Sequence, residues 1–178
     1  LHFIKKANIQ PGQKVLIVGA SGAVGSAAVQ LAKSFGADVT GVCSTANIAL
    51  VKSIGADKVI DYTQEDFTKN GEIYDVIFDT VKTINVSRSL KSLSKNGIMI
   101  LSAAGMPEML QGAWISRTSS KKVITGVISH NASDITFLKG LMESGQLKPV
   151  IDRTYSLDQI AEAHAYAEKG RKKGNVAI

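Results

Sequence analysis

The sequence has 178 residues, 44% of them hydrophobic and 20% charged, with 21 basic against 15 acidic side chains and a formal net charge of +6 at pH 7. That length builds one good-sized core with a small appendage, in the composition range of soluble globular proteins. No apolar run approaches the roughly 20 residues of a membrane span, no secretory leader is legible, and Cys43 as sole cysteine excludes an internal disulfide or a cysteine-rich zinc site.

Read in chain order, Leu1, Phe3, Ile4 and Ala7 fall at helical spacing before a Pro11-Gly12 turn. A chain that opens on Leu1 in mid-helix is expected to be a piece of a longer polypeptide. Val15 to Val18 then form a continuous apolar run, the pattern of a central parallel strand over residues 14–20. The run meets Gly19, Gly22 and Gly25, spaced G-x-x-G-x-x-G, and enters a helix over 22–35 whose stripe is Val24, Ala28, Leu31, Ala32 and Phe35. Gly36 marks its stop.

Strands follow at 38–44, 58–62, 74–81, 97–103 and 123–129, and helices at 46–54, 84–94 and 133–144. Gly55 and Gly145 close helices, Asn96-Gly97 marks a turn, and a single helical turn fits residues 65–69. Residues 104–120, with Pro107 and Trp114, read as a long mobile loop. Beyond Pro149 the rhythm changes: an extended stretch over 150–157, a Ser156/Gln159 capping box, a helical face of Leu157, Ile160, Ala161 and His164, and a last strand from 176. The fold class is α/β, a Rossmann-type doubly wound parallel sheet of six strands over 1–149, with a strand-helix-strand tail over 150–178.

Ligands of open α/β sheets bind beyond the carboxyl ends of the strands. At the first of these, Ala20 and Gly22 keep side chains clear of an approaching pyrophosphate, and Gly25 lets the helix pack on the sheet. The helix's free N–H groups and positive dipole end face the anion. At the second, NAD readers place an acid on the ribose 2′-hydroxyl; here Cys43 is followed by Ser44 and Thr45, hydroxyls able to donate to a 2′-phosphate. NADP(H) is therefore favoured over NAD(H), although Ser44 could simply cap the next helix. A methyltransferase, which pairs its glycine turn with an acid at that strand end, fits less well. Basic residues are dispersed apart from Lys169, Arg171, Lys172 and Lys173, and aromatics do not interleave with them, so no nucleic-acid partner is expected. Asp75 reads as a turn residue, Asp79 as a cofactor-side polar group, His164 as a packing histidine and Cys43 as a small buried apolar side chain.

The segments QPGQKVLIVGASGAVGSAAVQLAK, GADKVIDY, YDVIFDTV and LKPVIDRTYSLDQIAEAHAYAEKGRKKGNVAI resemble the cofactor domain of the medium-chain dehydrogenase/reductase superfamily, in its zinc-independent quinone oxidoreductase (zeta-crystallin-like) branch. The resemblance covers essentially the whole chain. It implies a GroES-like domain N-terminal to Leu1, to which the tail from about Val150 returns, with the substrate cleft between the two. It implies further that Ala20, Ser21, Gly22, Ala23, Val24 and Gly25 hold the pyrophosphate, and that Ser44, Thr45 and Tyr62 surround the adenosine 2′-phosphate. Thr80, Val81, Ala103, Ala104, Ile128 and Ser129 would line the nicotinamide half. Two departures stand out: Ala46-Asn47 where many NADPH-preferring relatives carry a basic residue, for which Lys52, Lys58 or a tail lysine could substitute, and Lys82 where many have glycine.

No catalytic triad, paired carboxylates or metal cluster is legible, which suits hydride transfer, where the cofactor carries the hard chemistry. The implied activity is reduction of a small electrophilic substrate (a quinone, an enone or a similar carbonyl compound) by NADPH. The implied protein is a cytoplasmic homodimer joined edge to edge through 123–129, with no membrane partner. An enoyl-thioester reductase, a zinc-dependent alcohol dehydrogenase of the same superfamily and a non-catalytic NADP(H)-binding module remain alternatives.

Overall fold

The computed structural model describes residues 1–126 and 131–178. Helix α1 (His2–Ala7) leads into β1 (Lys14–Val18), α2 (Ala23–Ser34), β2 (Asp38–Cys43), α3 (Ile48–Ser53), β3 (Lys58–Asp61) and β4 (Tyr74–Asp79). The sheet continues through α4 (Val86–Ser89), β5 (Leu93–Leu101), α5 (Met106–Thr118) and β6 (Lys122–Ile124), before α6 (Ala132–Glu143). All its pairings are parallel and the order is β3-β2-β1-β4-β5-β6, so the chain reverses direction across the sheet between β1 and β4. That reversal opens a crevice at the carboxyl ends of the strands.

Each face of the sheet has its own core. On one, Ile4, Ala28, Val29, Val51 and Leu141 bring α1, α2, α3 and α6 against Val15, Ile17 and Val39. On the other, Phe67, Val86, Leu93 and Ile115 cover Leu16, Ile77 and Met99. Central strands buried on both sides need the unbroken apolar runs that the sequence supplies. A separate two-stranded parallel sheet, β7 (Ile151–Thr154) with β8 (Asn175–Ala177), flanks α7 (Ile160–Glu168) in the tail. The Ser156/Gln159 capping box is present at its start.

Several expectations need correction. Residues 104–120 are not a loop: α5 starts where Glu108 accepts from the Gly105 N–H at 2.8 Å, with Pro107 in the first turn. Its apolar residues give no stripe to read, since only Gly112 and Ile115 are buried while Met106, Leu110 and Trp114 are exposed. Asn96-Gly97 is not a turn but lies within β5, beside a register shift opposite Tyr74 and Val76. A Cβ on Gly97 would come within 2.6 Å of the Leu93 side chain, so close packing is its role. The helix expected over 84–94 shortens to α4 and a 3-10 turn because β5 already begins at Leu93. Of residues 65–69, only 67–69 form a turn, closed by the Lys69 N–H on the Asp66 carbonyl at 2.9 Å, while the Asp66 side chain accepts from the Thr68 N–H and hydroxyl at 2.9 and 2.7 Å. His164 is exposed, because α7 buries only Ala163.

Candidate functional site

The phosphate end is built by the turn between β1 and α2. Gly19 has φ +79°, and a Cβ there would strike the Val81 and Thr80 side chains at 2.5 and 2.8 Å. A Cβ on Gly25 would sit 2.0 Å from the Gly19 carbonyl oxygen, so that glycine is dictated by helix-to-turn packing. Gly22 differs. Its φ is −80° and its nearest obstacle is 3.5 Å away, so neither backbone strain nor packing requires glycine there. What its missing side chain leaves clear is the space over the α2 N-terminus, which no side chain caps. Ala20 departs from expectation: it is fully buried, with its methyl 3.0 Å from where a Gly41 Cβ would lie, so its small size serves packing against β2.

From this turn a cleft of about 1120 Å³ runs toward the ends of β2 and β3 and is walled on the far side by the β4–α4 connection. Of the residues the sequence singled out, Ser21, Gly22, Ser44, Tyr62 and Val81 line it. Ser44 and Tyr62 are brought together because β2 and β3 are in parallel register and the Tyr62 N–H donates to the Cys43 carbonyl at 3.1 Å. The Tyr62 ring is 64% exposed, free to lie against a planar group. Thr45 does not join them: its hydroxyl donates to Asp61 at 2.5 Å. The Thr45 and Thr63 hydroxyls hold the Asp61 carboxyl below the usual carboxylate range.

Cys43 is 2% exposed, and burial, reinforced by the charge of Asp61, pushes its thiol up to about 11. It is an inert lining atom, as expected of a buried thiol. Asp79 is a departure: buried, its carboxylate accepts from the Val81 N–H at 3.0 Å and the Ile84 N–H at 3.5 Å. It shapes the turn after β4 and also lines the small hollow that holds Ala103 and Ala104. Asp75, expected in a turn, lies within β4 and accepts from the Lys14 N–H at 3.0 Å. Thr80 donates its hydroxyl to the Val18 carbonyl at 2.8 Å, fixing the same turn on β1. Ala103 and Ala104 line a smaller hollow of about 70 Å³ with Lys82 and Glu108. Ile128 and Ser129 lie outside the described residues.

Asn47 was expected only as a departure from a basic residue, and the tail cations only as one substitute for it. Asn47 reaches both Ser21 and Ser44 from the start of α3, at 3.1 and 3.2 Å. The tail crosses the mouth of the turn, where Gly174 bridges Gly22 and donates its N–H to the Ser21 carbonyl at 2.8 Å. That crossing puts Arg171, Lys172 and Lys173 into the cleft wall, and none of them is in an ion pair among the described residues. Their clustering was visible; that the tail folds back onto the first glycine turn was not. The cleft's Asp66 carboxylate is already matched by Arg88 at 3.6 Å and Lys69 at 3.9 Å. Among the described residues no cluster of metal-binding side chains occurs and no helix is long and apolar enough to cross a membrane.

The family model for the zinc-binding dehydrogenases matches residues 54–178. Chloroplastic quinone-oxidoreductase QR1 of Triphysaria versicolor is 36% identical over 173 residues, covering 94% of this chain and 53% of that protein. The 2-methylene-furan-3-one reductase of Solanum lycopersicum is 34% identical over 179 residues, covering 98% and 42%. Among solved structures, the quinone oxidoreductase from Coxiella burnetii aligns with a TM-score of 0.86 at 25% identity over 97% of this chain and 54% of its own. The chain spans about half the length of the curated relatives it matches.

Proposed function

The chain belongs to the zinc-binding dehydrogenase family of the medium-chain dehydrogenase/reductase superfamily, and from that premise we propose that its cleft seats NADP(H) in a reductase of quinones, enones or similar electrophilic carbonyl compounds. The observation that carries this reading is Gly22, a glycine that neither its backbone nor its neighbours require, at an uncapped helix N-terminus on the floor of the cleft.

In this reading the backbone N–H groups of Ala23, Val24 and Gly25, with Ser21, hold the pyrophosphate. Ser44, Tyr62 and the cations Arg171, Lys172 and Lys173 take the adenosine 2′-phosphate, which favours NADP(H) over NAD(H). Thr80, Val81, Ala103, Ala104, Ile128 and Ser129 flank the nicotinamide, which when bound supplies the hydride. The chain's own part is to fix the cofactor's reactive face and keep water from it. No side chain here is assigned the proton, which would come from water or a second domain. That domain is GroES-like and would cover the outward face of the tail, where Leu157 is 76% and Ile151 48% exposed. A homodimer would join at the outer edge of β6, the last strand in the sheet order among the described residues.

Titration of the chain with NADPH and NADH, followed by nicotinamide fluorescence, tests the reading. NADPH should bind more tightly, and Gly22→Val should weaken both nucleotides about tenfold or more while lowering the melting temperature by no more than about 4 °C. Unchanged affinity in that variant would remove the pyrophosphate seat, and tighter NADH binding would remove the 2′-phosphate assignment.

A further inference from the structure

Asn47 stands at the N-cap of α3, yet its side chain makes no capping bond. Instead its Nδ2 donates to the Ser21 Oγ at 3.1 Å and to the Ser44 Oγ at 3.2 Å. Its Oδ1 is buried with no partner among the described residues. An amide that forgoes a helix cap and leaves its oxygen unsatisfied is held in a costly orientation. The orientation has a definite consequence. Both serine hydroxyls line the cleft, each accepts from Asn47, and neither has another partner among the described residues. Each therefore keeps its own proton to donate into the cleft.

A half-turn of the amide about its last torsion reverses this. Both hydroxyls would then donate to Oδ1 and show the cleft only lone pairs. Phosphate oxygens only accept and so need the first arrangement, whereas a bare ribose hydroxyl, donor and acceptor at once, can pair with either. One side chain thus sets the polarity of two ligand-facing groups at once. Resting on the nicotinamide-nucleotide reading above, we propose that Asn47 is a positioning residue that sets the hydrogen-bond polarity of Ser21 and Ser44 together. In the orientation seen, both hydroxyls donate into the cleft, which favours a phosphorylated ribose over an unphosphorylated one.

The test is a binding cycle on this chain with NADPH, NADH, adenosine 2′,5′-bisphosphate and AMP, read by fluorescence and calorimetry. Wild type should bind NADPH and NADH within about tenfold of each other. Asn47→Ala should lower NADPH and bisphosphate affinity about fivefold, and change them less than about twofold once Ser21 and Ser44 are both alanine. Asn47→Leu, closer in size, should repeat that pattern. The ratio between nucleotides is the readout, because a damaged fold lowers all four ligands alike. An unchanged ratio in both Asn47 variants, or an equal effect with and without the serines, overturns the inference and leaves the cofactor reading intact. A wild-type chain that binds neither dinucleotide overturns both.

Discussion

Four of the five residues of β1 are buried, and so is every residue of α2 from Ala28 to Ala32. In the C-terminal unit no residue of β7 or β8 is buried, and α7 buries only Ala163. Yet the two units share one boundary, the Gly22–Gly174 bridge. The first is held by apolar burial and the second by hydrogen bonds: Tyr155 N–H to the Ala177 carbonyl at 2.9 Å, Asn175 N–H to Val150 at 2.8 Å, Tyr166 to Asp152 at 2.6 Å. Burial of apolar surface outweighs such bonds by a wide margin per residue. The cleft is therefore a stable floor with a less stable wall, and what disturbs one should leave the other readable.

The largest effect should come from the floor. Gly25→Ala places a methyl 2.0 Å from a backbone oxygen that no rotamer change can move. A cost of about 3 kcal/mol or more follows, a fall of about 6–12 °C in melting temperature for a domain of this size. A variant that melts like wild type would show that the turn is looser than its packing implies. Gly174→Ala is the matching change in the wall: φ is +59°, and the new methyl would lie 2.3 Å from the Val150 carbonyl oxygen. It should cost about 2 kcal/mol, spent on docking the tail. Amides of β8 should then exchange faster while those of β1 keep their protection; equal loss in both would erase the distinction drawn between floor and wall.

The same division explains what could be read from residues alone. The parallel six-stranded sheet and the glycine turn were legible because buried strands and phosphate turns each impose a local pattern, as in Val15–Val18 followed by Gly19, Gly22 and Gly25. Helix α5 was not, because Met106, Leu110 and Trp114 face outward and leave no stripe facing a core. Ser44 and Tyr62 were legible as neighbours from strand ends, but the diversion of Thr45 to Asp61 depends on a register that composition does not carry. The role of Ala20 was misread for a related reason: only the packed structure distinguishes a residue that is small for a ligand from one that is small for its approach to Gly41. Asn47 and Arg171 enter the site through contacts across 26 and more residues of sequence, beyond any local signal.

Acid should sharpen the contrast most gently. Asp152 accepts from the Tyr166 hydroxyl at 2.6 Å and from the Lys173 N–H at 3.0 Å on the same oxygen, and these hold its carboxyl below the usual range. A depressed native pKa adds stability that is present above the unfolded value, near 4, and is lost as pH falls through the native one. Asp57 clamps Lys33 and the Val39 N–H in the sheet half and is weakened over the same range. There, however, the buried core carries most of the stability, whereas the tail has little else. Protection factors of β8 amides should therefore decline between about pH 5 and pH 3 while those of β1 hold, and Asp152→Asn should flatten the decline. If β8 protection in the wild-type chain stays constant across that interval, the Asp152 contacts do not hold the tail against the glycine turn, and its docking must rest on the Gly174 and Val150 backbone alone.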